Sequence, residues 1–166
     1  MSYIDTSVIV ASLDPEDPRS DEAKKILENE KCKIISELVL VELASVISRR
    51  KIYLKSYSDK LKLNEKKTLI TILLYILKKF KLNYKAIKDP HLKHPLINSM
   101  YRPVTIGIEL SHEVKLKTLD LLHAAYVKAL KEQGEKLEKL VTADTEFKKA
   151  EEQLRKIVKI HLHTVE

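Results

Sequence analysis

The chain has 166 residues, enough for one domain with a substantial buried core. Hydrophobic residues make up 44% and charged residues 33%, with two glycines and five prolines, which excludes disordered, collagen-like and loop-rich disulfide proteins. Lys and Arg number 31 against 24 Asp and Glu, and the net charge of +7 favours polyanionic partners such as RNA or DNA.

Apolar runs bounded by polar turns alternate with stretches of helical period, which predicts strand and helix units around a largely parallel sheet. The elements predicted in the first half are a strand at 2–4, a helix from Ser20, a strand at 33–35, a helix opened by Ser36 and Glu37, and a helical stretch at 58–80. The side chains predicted to face inward from the helix after Ser36 are those of Leu38, Val41, Ala44, Ser45 and Ile47. The broad apolar face at 69–77 predicts burial on two sides.

The second half begins with a segment that shows little periodicity. Residues 81–103 carry three of the five prolines, so we expect an ordered-to-flexible connection rather than a domain boundary, within a longer helical and proline-containing middle at 55–103. The elements predicted after it are a strand at 104–108, a helix at 119–131 stopped by Gly134, a strand at 140–142, a helix capped by Asp144, and a closing strand at 157–162. We expect a single domain over 1–166.

Four acidic residues occupy comparable places in this layout. Asp5 and Asp144 follow predicted strands, whereas Glu42 and Asp120 lie in otherwise apolar helices. The carboxyl ends of parallel strands form the binding crevices of α/β proteins, so these side chains are expected to converge. Crowded carboxylates repel one another, which implies a divalent cation, and oxygen ligands favour Mg²⁺ or Mn²⁺. Such a centre suits hydrolysis of a phosphodiester.

Each acid also has a purely structural interpretation. Asp5 suits a turn, Asp144 a helix N-cap, and Asp120 the positive end of a helix dipole. Glu42 is harder to explain, because burying an uncompensated acid costs several kcal/mol, by order of magnitude. His123 lies on an apolar helix face, where a packed, hydrogen-bonded histidine is the expected role.

The expected location of the protein is the cytoplasm. Cys32 is the only cysteine, so neither an intramolecular disulfide nor a cysteine zinc site is expected. An acidic residue stands at position 5, where a signal peptide would need an apolar run, and no stretch has the length to span a bilayer. We expect no membrane partner.

Four segments, in order, resemble the PIN-domain family and in particular its VapC-like toxin ribonucleases. The segments are YIDTSVIV (3–10), SELVLVEL (36–43), TLDLLHAA (118–125) and LVTADTEF (140–147). The resemblance implies a Rossmann-like three-layer α/β/α sandwich around a mainly parallel sheet of about five strands. It also implies Mg²⁺- or Mn²⁺-dependent RNA cleavage and a homodimer.

The resemblance assigns roles residue by residue. According to the resemblance, four residues are both metal ligands and catalytic groups: Asp5, Glu42, Asp120 and Asp144. The supporting residues that the resemblance implies are Thr6, Ser7 and Thr142, through their hydroxyl groups, and the acid Glu146.

The predicted function is a metal-dependent endoribonuclease, acting as the toxin of a toxin–antitoxin pair with a cognate antitoxin partner. Two alternatives stay open: a housekeeping nuclease of RNA processing or decay, and a catalytically silent RNA- or protein-binding scaffold. The basic run at 49–51 is either a solvated face or an RNA-facing rim.

Overall fold

The computed structural model describes residues 1–94 and 98–166. Its centre is a five-stranded parallel sheet. The strands are β1 (Ser2–Ile4), β2 (Lys33–Ile35), β3 (Leu82–Tyr84), β6 (Lys139–Thr142) and β7 (His161–Thr164), in the order β3-β2-β1-β6-β7. The chain winds outward from β1 through β2 to β3 and then crosses to the other side. The switch point of the sheet therefore lies between β1 and β6.

Helices flank the sheet. They are α1 (Thr6–Leu13), α2 (Ser20–Asn29), α3 (Glu37–Arg49), α4 (Lys51–Leu61), α5 (Glu65–Lys79), α6 (Arg102–Leu110), α7 (Thr118–Glu132) and α8 (Glu151–Gln153). A 3₁₀ turn at Thr145–Ala150 precedes α8 and a π-helical turn at Leu154–Val158 follows it. This arrangement confirms the predicted α/β fold class. None of the helices in residues 1–94 and 98–166 is long and apolar enough to cross a bilayer.

The strands form where the sequence has short apolar runs. Ile34, Ile35, Leu140 and Val141 are all fully buried, as strands covered on both faces require. Buried side chains from α1 and α7 complete the core against them. The predicted strands at 2–4, 33–35 and 140–142 are confirmed, as is the stop at Gly134, whose φ of +100° suits glycine.

The connection predicted at 81–103 contains strands that the sequence pattern did not predict. The segment contains β3 and an antiparallel hairpin of β4 (His91–His94) and β5 (Asn98–Tyr101). These strands are too short to show a period, and Pro90 lies just outside the hairpin, where it removes no ladder hydrogen bond. The part of the prediction that concerns residues 95–97 lies outside the described residues.

Two predicted strands are wrong. Residues 104–108 belong to α6, which has Pro103 in its first turn, where the missing N–H costs nothing. A Cβ built on Gly107 would lie 3.6 Å from Leu122 of α7, so close packing on α7 prevails over the β propensity of this run. The strand predicted at 157–162 begins later, at His161, because the π-helical turn runs to Val158.

The predicted helical stretch at 58–80 is two helices, α4 and α5. Asn64 caps α5, since its side chain accepts a hydrogen bond of 2.9 Å from the Lys67 N–H. The prediction that the 69–77 face is buried on two sides is wrong, because Ile70 and Leu74 are 48% and 61% exposed.

The predicted inward face of α3 is also partly wrong. Val41 is 66% exposed and Ser45 is exposed, while Val39 and Leu43 are the buried residues of this helix. The apolar residues of α3 surround most of the helix, so periodicity could not select one face.

Candidate metal centre

The candidate centre lies at the switch point of the sheet. Asp5 directly follows β1, and its backbone N–H donates to the Val141 carbonyl of β6 at 2.9 Å. Asp144 lies two residues beyond β6. Because β1 and β6 are parallel neighbours, both aspartates emerge at the same edge of the sheet.

Two helices bring further polar side chains to this edge. Glu42 lies in the middle of α3, and His123 lies one turn into α7. His123 Nε2 is 2.9 Å from Glu42 Oε2 and 3.2 Å from Asp5 Oδ1. One possible ligand atom from each of the three residues lies within 4.8 Å of the others, so this group is able to hold a metal ion.

Neighbouring hydroxyl groups hold the Asp5 carboxylate in place. Its Oδ2 accepts hydrogen bonds from Ser7 Oγ at 2.5 Å and Thr142 Oγ1 at 2.6 Å. Ser7 Oγ accepts in turn from the Ala143 N–H at 2.9 Å, and Thr142 Oγ1 from the Asp144 N–H at 3.0 Å. These bonds tie the end of β1 to the loop after β6, so the geometry of Asp5 is preorganised.

Glu42 and His123 stabilise each other electrostatically. Burial raises the pKa of Glu42, but the hydrogen bond and charge of His123 and the hydrogen bond from Thr6 outweigh it, so the net shift is downward. Burial lowers the pKa of His123, yet the carboxylates of Asp5 and Glu42 outweigh burial and raise it. Thr6 Oγ1 donates to Glu42 Oε2.

Asp120 and Asp144 lie beside the three-residue group rather than in it. Burial, followed by the negative charges of Asp144 and Asp5, raises the pKa of Asp120 to about 6. Asp144 Oδ1 accepts a hydrogen bond of 2.8 Å from the Glu146 N–H and so caps the following 3₁₀ turn. The Glu146 carboxylate pairs with Lys149 at 2.6 Å. A concentration of negative charge therefore surrounds the Asp5–Glu42 pair.

Sequence patterns did not indicate three contacts at or beside this centre. The apolar helix face predicts a packing role for His123, although this residue is three positions after Asp120 and thus on the same side of α7. Tyr3 shares a strand face with Asp5, and its hydroxyl lies 2.9 Å from His123 Nδ1. Arg19 Nη1 donates to the Ala143 carbonyl at 2.5 Å, and no sequence pattern indicated this loop contact.

The fold and the site together define an α/β protein with a carboxylate-rich centre at the switch point of a parallel sheet. The family model of the PIN domain matches residues 2–153 of the chain. The chain therefore belongs to the PIN-domain family, a family of nucleases, and the predicted membership is confirmed.

Solved structures share this fold at low sequence identity. One is VapBC2 from Rickettsia felis bound to a promoter DNA fragment, with 18% identity, a TM-score of 0.55, and all of both chains covered (100% and 100%). Another is the Mycobacterium tuberculosis VapC20, a Sarcin-Ricin loop cleaving toxin, with 14% identity, a TM-score of 0.57, and 90% of this chain and 95% of that chain covered. FitAcB from Neisseria gonorrhoeae has 18% identity and a TM-score of 0.53, with 99% of this chain and 97% of that chain covered. No curated protein matches the chain.

Proposed function

We propose that the protein is a metal-dependent endoribonuclease that hydrolyses phosphodiester bonds of RNA. The observation that carries the proposal is the convergence of the Asp5 and Glu42 carboxylates at the switch point, where an oxygen of each lies within 3.2 Å of His123 Nε2. We assign the metal-binding and catalytic roles to the four acids Asp5, Glu42, Asp120 and Asp144.

The residues at the centre fit a hard divalent cation. Two buried or partly buried carboxylates face the same space, and two more add negative charge beside them. Carboxylate oxygens are the ligands preferred by Mg²⁺ and Mn²⁺, so we propose one of these as the ion. Held by these carboxylates, such an ion would supply activation of water and compensation of the charge that builds on the phosphate.

The chain itself supplies positioning and charge. Asp5 is held by Ser7 and Thr142, and Glu42 by Thr6, so two acids are oriented before any substrate arrives. The net charge of +7 attracts an RNA backbone toward the acidic centre, and the exposed basic run at 49–51 is a candidate rim for that contact. In this proposal Glu146 is a peripheral acid.

We further propose that the protein acts in the cytoplasm as the toxin of a toxin–antitoxin pair. The structural relatives include a Sarcin-Ricin loop cleaving toxin and a toxin–antitoxin complex from Klebsiella pneumoniae. An exposed set of apolar residues on α3, α4 and α5, here called the α3–α5 apolar surface, supports a protein partner. It consists of Val41, Ile52, Tyr53, Tyr57, Leu61, Ile70, Leu74 and Tyr75. We propose that it serves a homodimer or an antitoxin.

Cleavage of single-stranded RNA by the purified protein tests the proposal. We expect cleavage with Mn²⁺ or Mg²⁺, and none after EDTA or in Asp5→Asn. The matched control is Asp59→Asn, which changes an exposed aspartate of α4 and should cleave like the wild type. Activity that survives both EDTA and Asp5→Asn would contradict the proposal. A wild-type protein that binds RNA without cleaving it would favour the scaffold.

Expression in cells separates the two enzyme roles. A toxin should arrest growth when the wild-type protein is expressed without its antitoxin, and Asp5→Asn should relieve the arrest. A housekeeping nuclease should cleave RNA in vitro yet leave growth unaffected.

A further inference from the structure

His123 is a buried polar side chain that contacts two of the acids. It is 2% exposed, and both ring nitrogens have partners. Nε2 lies 2.9 Å from Glu42 Oε2 and 3.2 Å from Asp5 Oδ1, while Nδ1 lies 2.9 Å from the Tyr3 hydroxyl. The ring is therefore held from opposite ends.

The carboxylate partners require a hydrogen on Nε2. An ionised carboxylate only accepts hydrogen bonds, so the nitrogen that faces Asp5 and Glu42 is the donor. The Tyr3 hydroxyl also lies 2.7 Å from Ser36 Oγ, and both groups are buried. The Tyr3 hydroxyl therefore links Ser36 to the far end of the imidazole, whichever atom donates in each of these two bonds.

The same network joins the elements that carry the acids. Tyr3 lies on β1 two residues before Asp5, and Ser36 begins the helix that carries Glu42. His123 lies on α7, three residues after Asp120. A displacement of any one element would stretch at least one of these buried bonds, so the network fixes their mutual spacing.

We infer that His123 is a positioning residue, which holds the Asp5 and Glu42 carboxylates at metal-binding spacing through its Nε2–H and is itself oriented by Tyr3. This rests on the proposed metal centre. Partners that orient ligands in this way typically change metal affinity by about 10- to 100-fold when removed.

Calorimetric titration with Mn²⁺ tests the inference on three variants of the full chain. His123→Leu removes the donor, and we expect binding about 10- to 100-fold weaker than in the wild type. His123→Gln keeps an N–H donor at similar reach, and we expect it to retain affinity to within roughly threefold. Tyr3→Phe keeps the ring but loses the hydroxyl, and we expect intermediate affinity.

Two measurements distinguish positioning from a loss of structure. Tyr126→Phe is the matched control, because it deletes a hydroxyl that bonds Tyr101 at 3.2 Å and does not bond Asp5 or Glu42, and its Mn²⁺ affinity should not change. Nitrogen NMR of the metal-free imidazole should show hydrogen on Nε2, as a donor to the two carboxylates requires.

Several results would overturn the inference. Wild-type affinity in a folded His123→Leu would do so, as would equal losses in His123→Gln and His123→Leu. Coupling of a histidine nitrogen to bound Mn²⁺ in pulsed electron resonance would show that His123 is a ligand instead. If the wild type itself binds no Mn²⁺, the proposed metal centre fails and this inference fails with it.

Discussion

The candidate metal centre and the α3–α5 apolar surface are constructed in opposite ways, although α3 contributes to both. At the centre, polar side chains are removed from water and paired: Asp5 is 5% exposed and accepts two hydroxyl hydrogen bonds. On the surface, apolar side chains are left in water: Ile52 is 84% exposed and Leu74 61%. The buried carboxylate is stabilised by its hydrogen bonds, whereas apolar side chains left in water contribute little burial energy to folding.

The difference matches the two proposed roles. The centre presents charged oxygens that suit a cation, and the surface presents apolar groups that suit an apolar partner. Val41 belongs to the surface and the adjacent Glu42 belongs to the centre, because successive residues of a helix point in different directions. The comparison can therefore be tested by changing adjacent positions.

The largest effect is expected for Glu42→Gln. The substitution keeps size but removes a charge from the centre, so we expect RNA cleavage to fall by more than about 100-fold while self-association is unchanged. Cleavage rate and sedimentation of the same sample provide the two readouts. Val41→Ser is the neighbouring control and should leave cleavage intact. If Glu42→Gln cleaves normally, Glu42 has no part in the centre.

A smaller effect is expected for Ile52→Asp and Leu74→Asp on the α3–α5 apolar surface. A charge placed in an apolar interface should weaken self-association or antitoxin binding by about tenfold or more, with cleavage retained. Analytical ultracentrifugation measures the first and co-purification with the antitoxin the second. Glu28→Asp, an exposed and conservative change in α2, serves as the control. Unchanged assembly in both variants would mean that this surface is not an interface.

The smallest effect is expected for Asp120→Asn, measured as thermal stability without metal. The pKa of Asp120 is about 6 when folded and 3.8 in its ordinary state, so the folded protein binds this proton more tightly than the unfolded chain. The stability that protonated Asp120 contributes is therefore fully present below a pH of 3.8, and it is lost as the pH rises through about 6. At about pH 7 the variant should be more stable, by about 1 kcal/mol after allowance for screening of a half-buried group, or about 2–4 °C.

The advantage of Asp120→Asn should shrink as the pH is lowered to about 4, where wild-type Asp120 is itself neutral. In the wild type, Mn²⁺ affinity should rise as pH increases through about 6, since the cation competes with the proton. A variant that is less stable than the wild type at about pH 7 would show that Asp120 carries a favourable structural bond instead.

Much of the fold followed from local patterns. The strands β1, β2 and β6 are short apolar runs bounded by polar residues, and the start of α5 is set by the Asn64 side chain on its own first turn. Residues 104–108 were mistaken for a strand because β-branched residues are common in both settings. Only packing of Gly107 on α7 distinguishes them.

The four acids could be selected from the sequence because a charged residue after a strand, or within an apolar helix, is visible without coordinates. Their relative placement could not. Asp5 and Glu42 approach each other through His123, which is 81 positions from Glu42 along the chain. The sequence likewise could not show that Asp144 caps a turn while Asp120 lies half-buried beside it.

The amino-acid sequence by itself determined the alternation of strands and helices, the charge balance and the identity of the acidic residues, since these depend on composition and on neighbours along the chain. The tertiary structure alone decided that Tyr3 and His123 join the acids and that the apolar faces of α4 and α5 remain exposed. Hydrogen bonds and burial depend on which distant elements come together, and that information is not contained in any local segment.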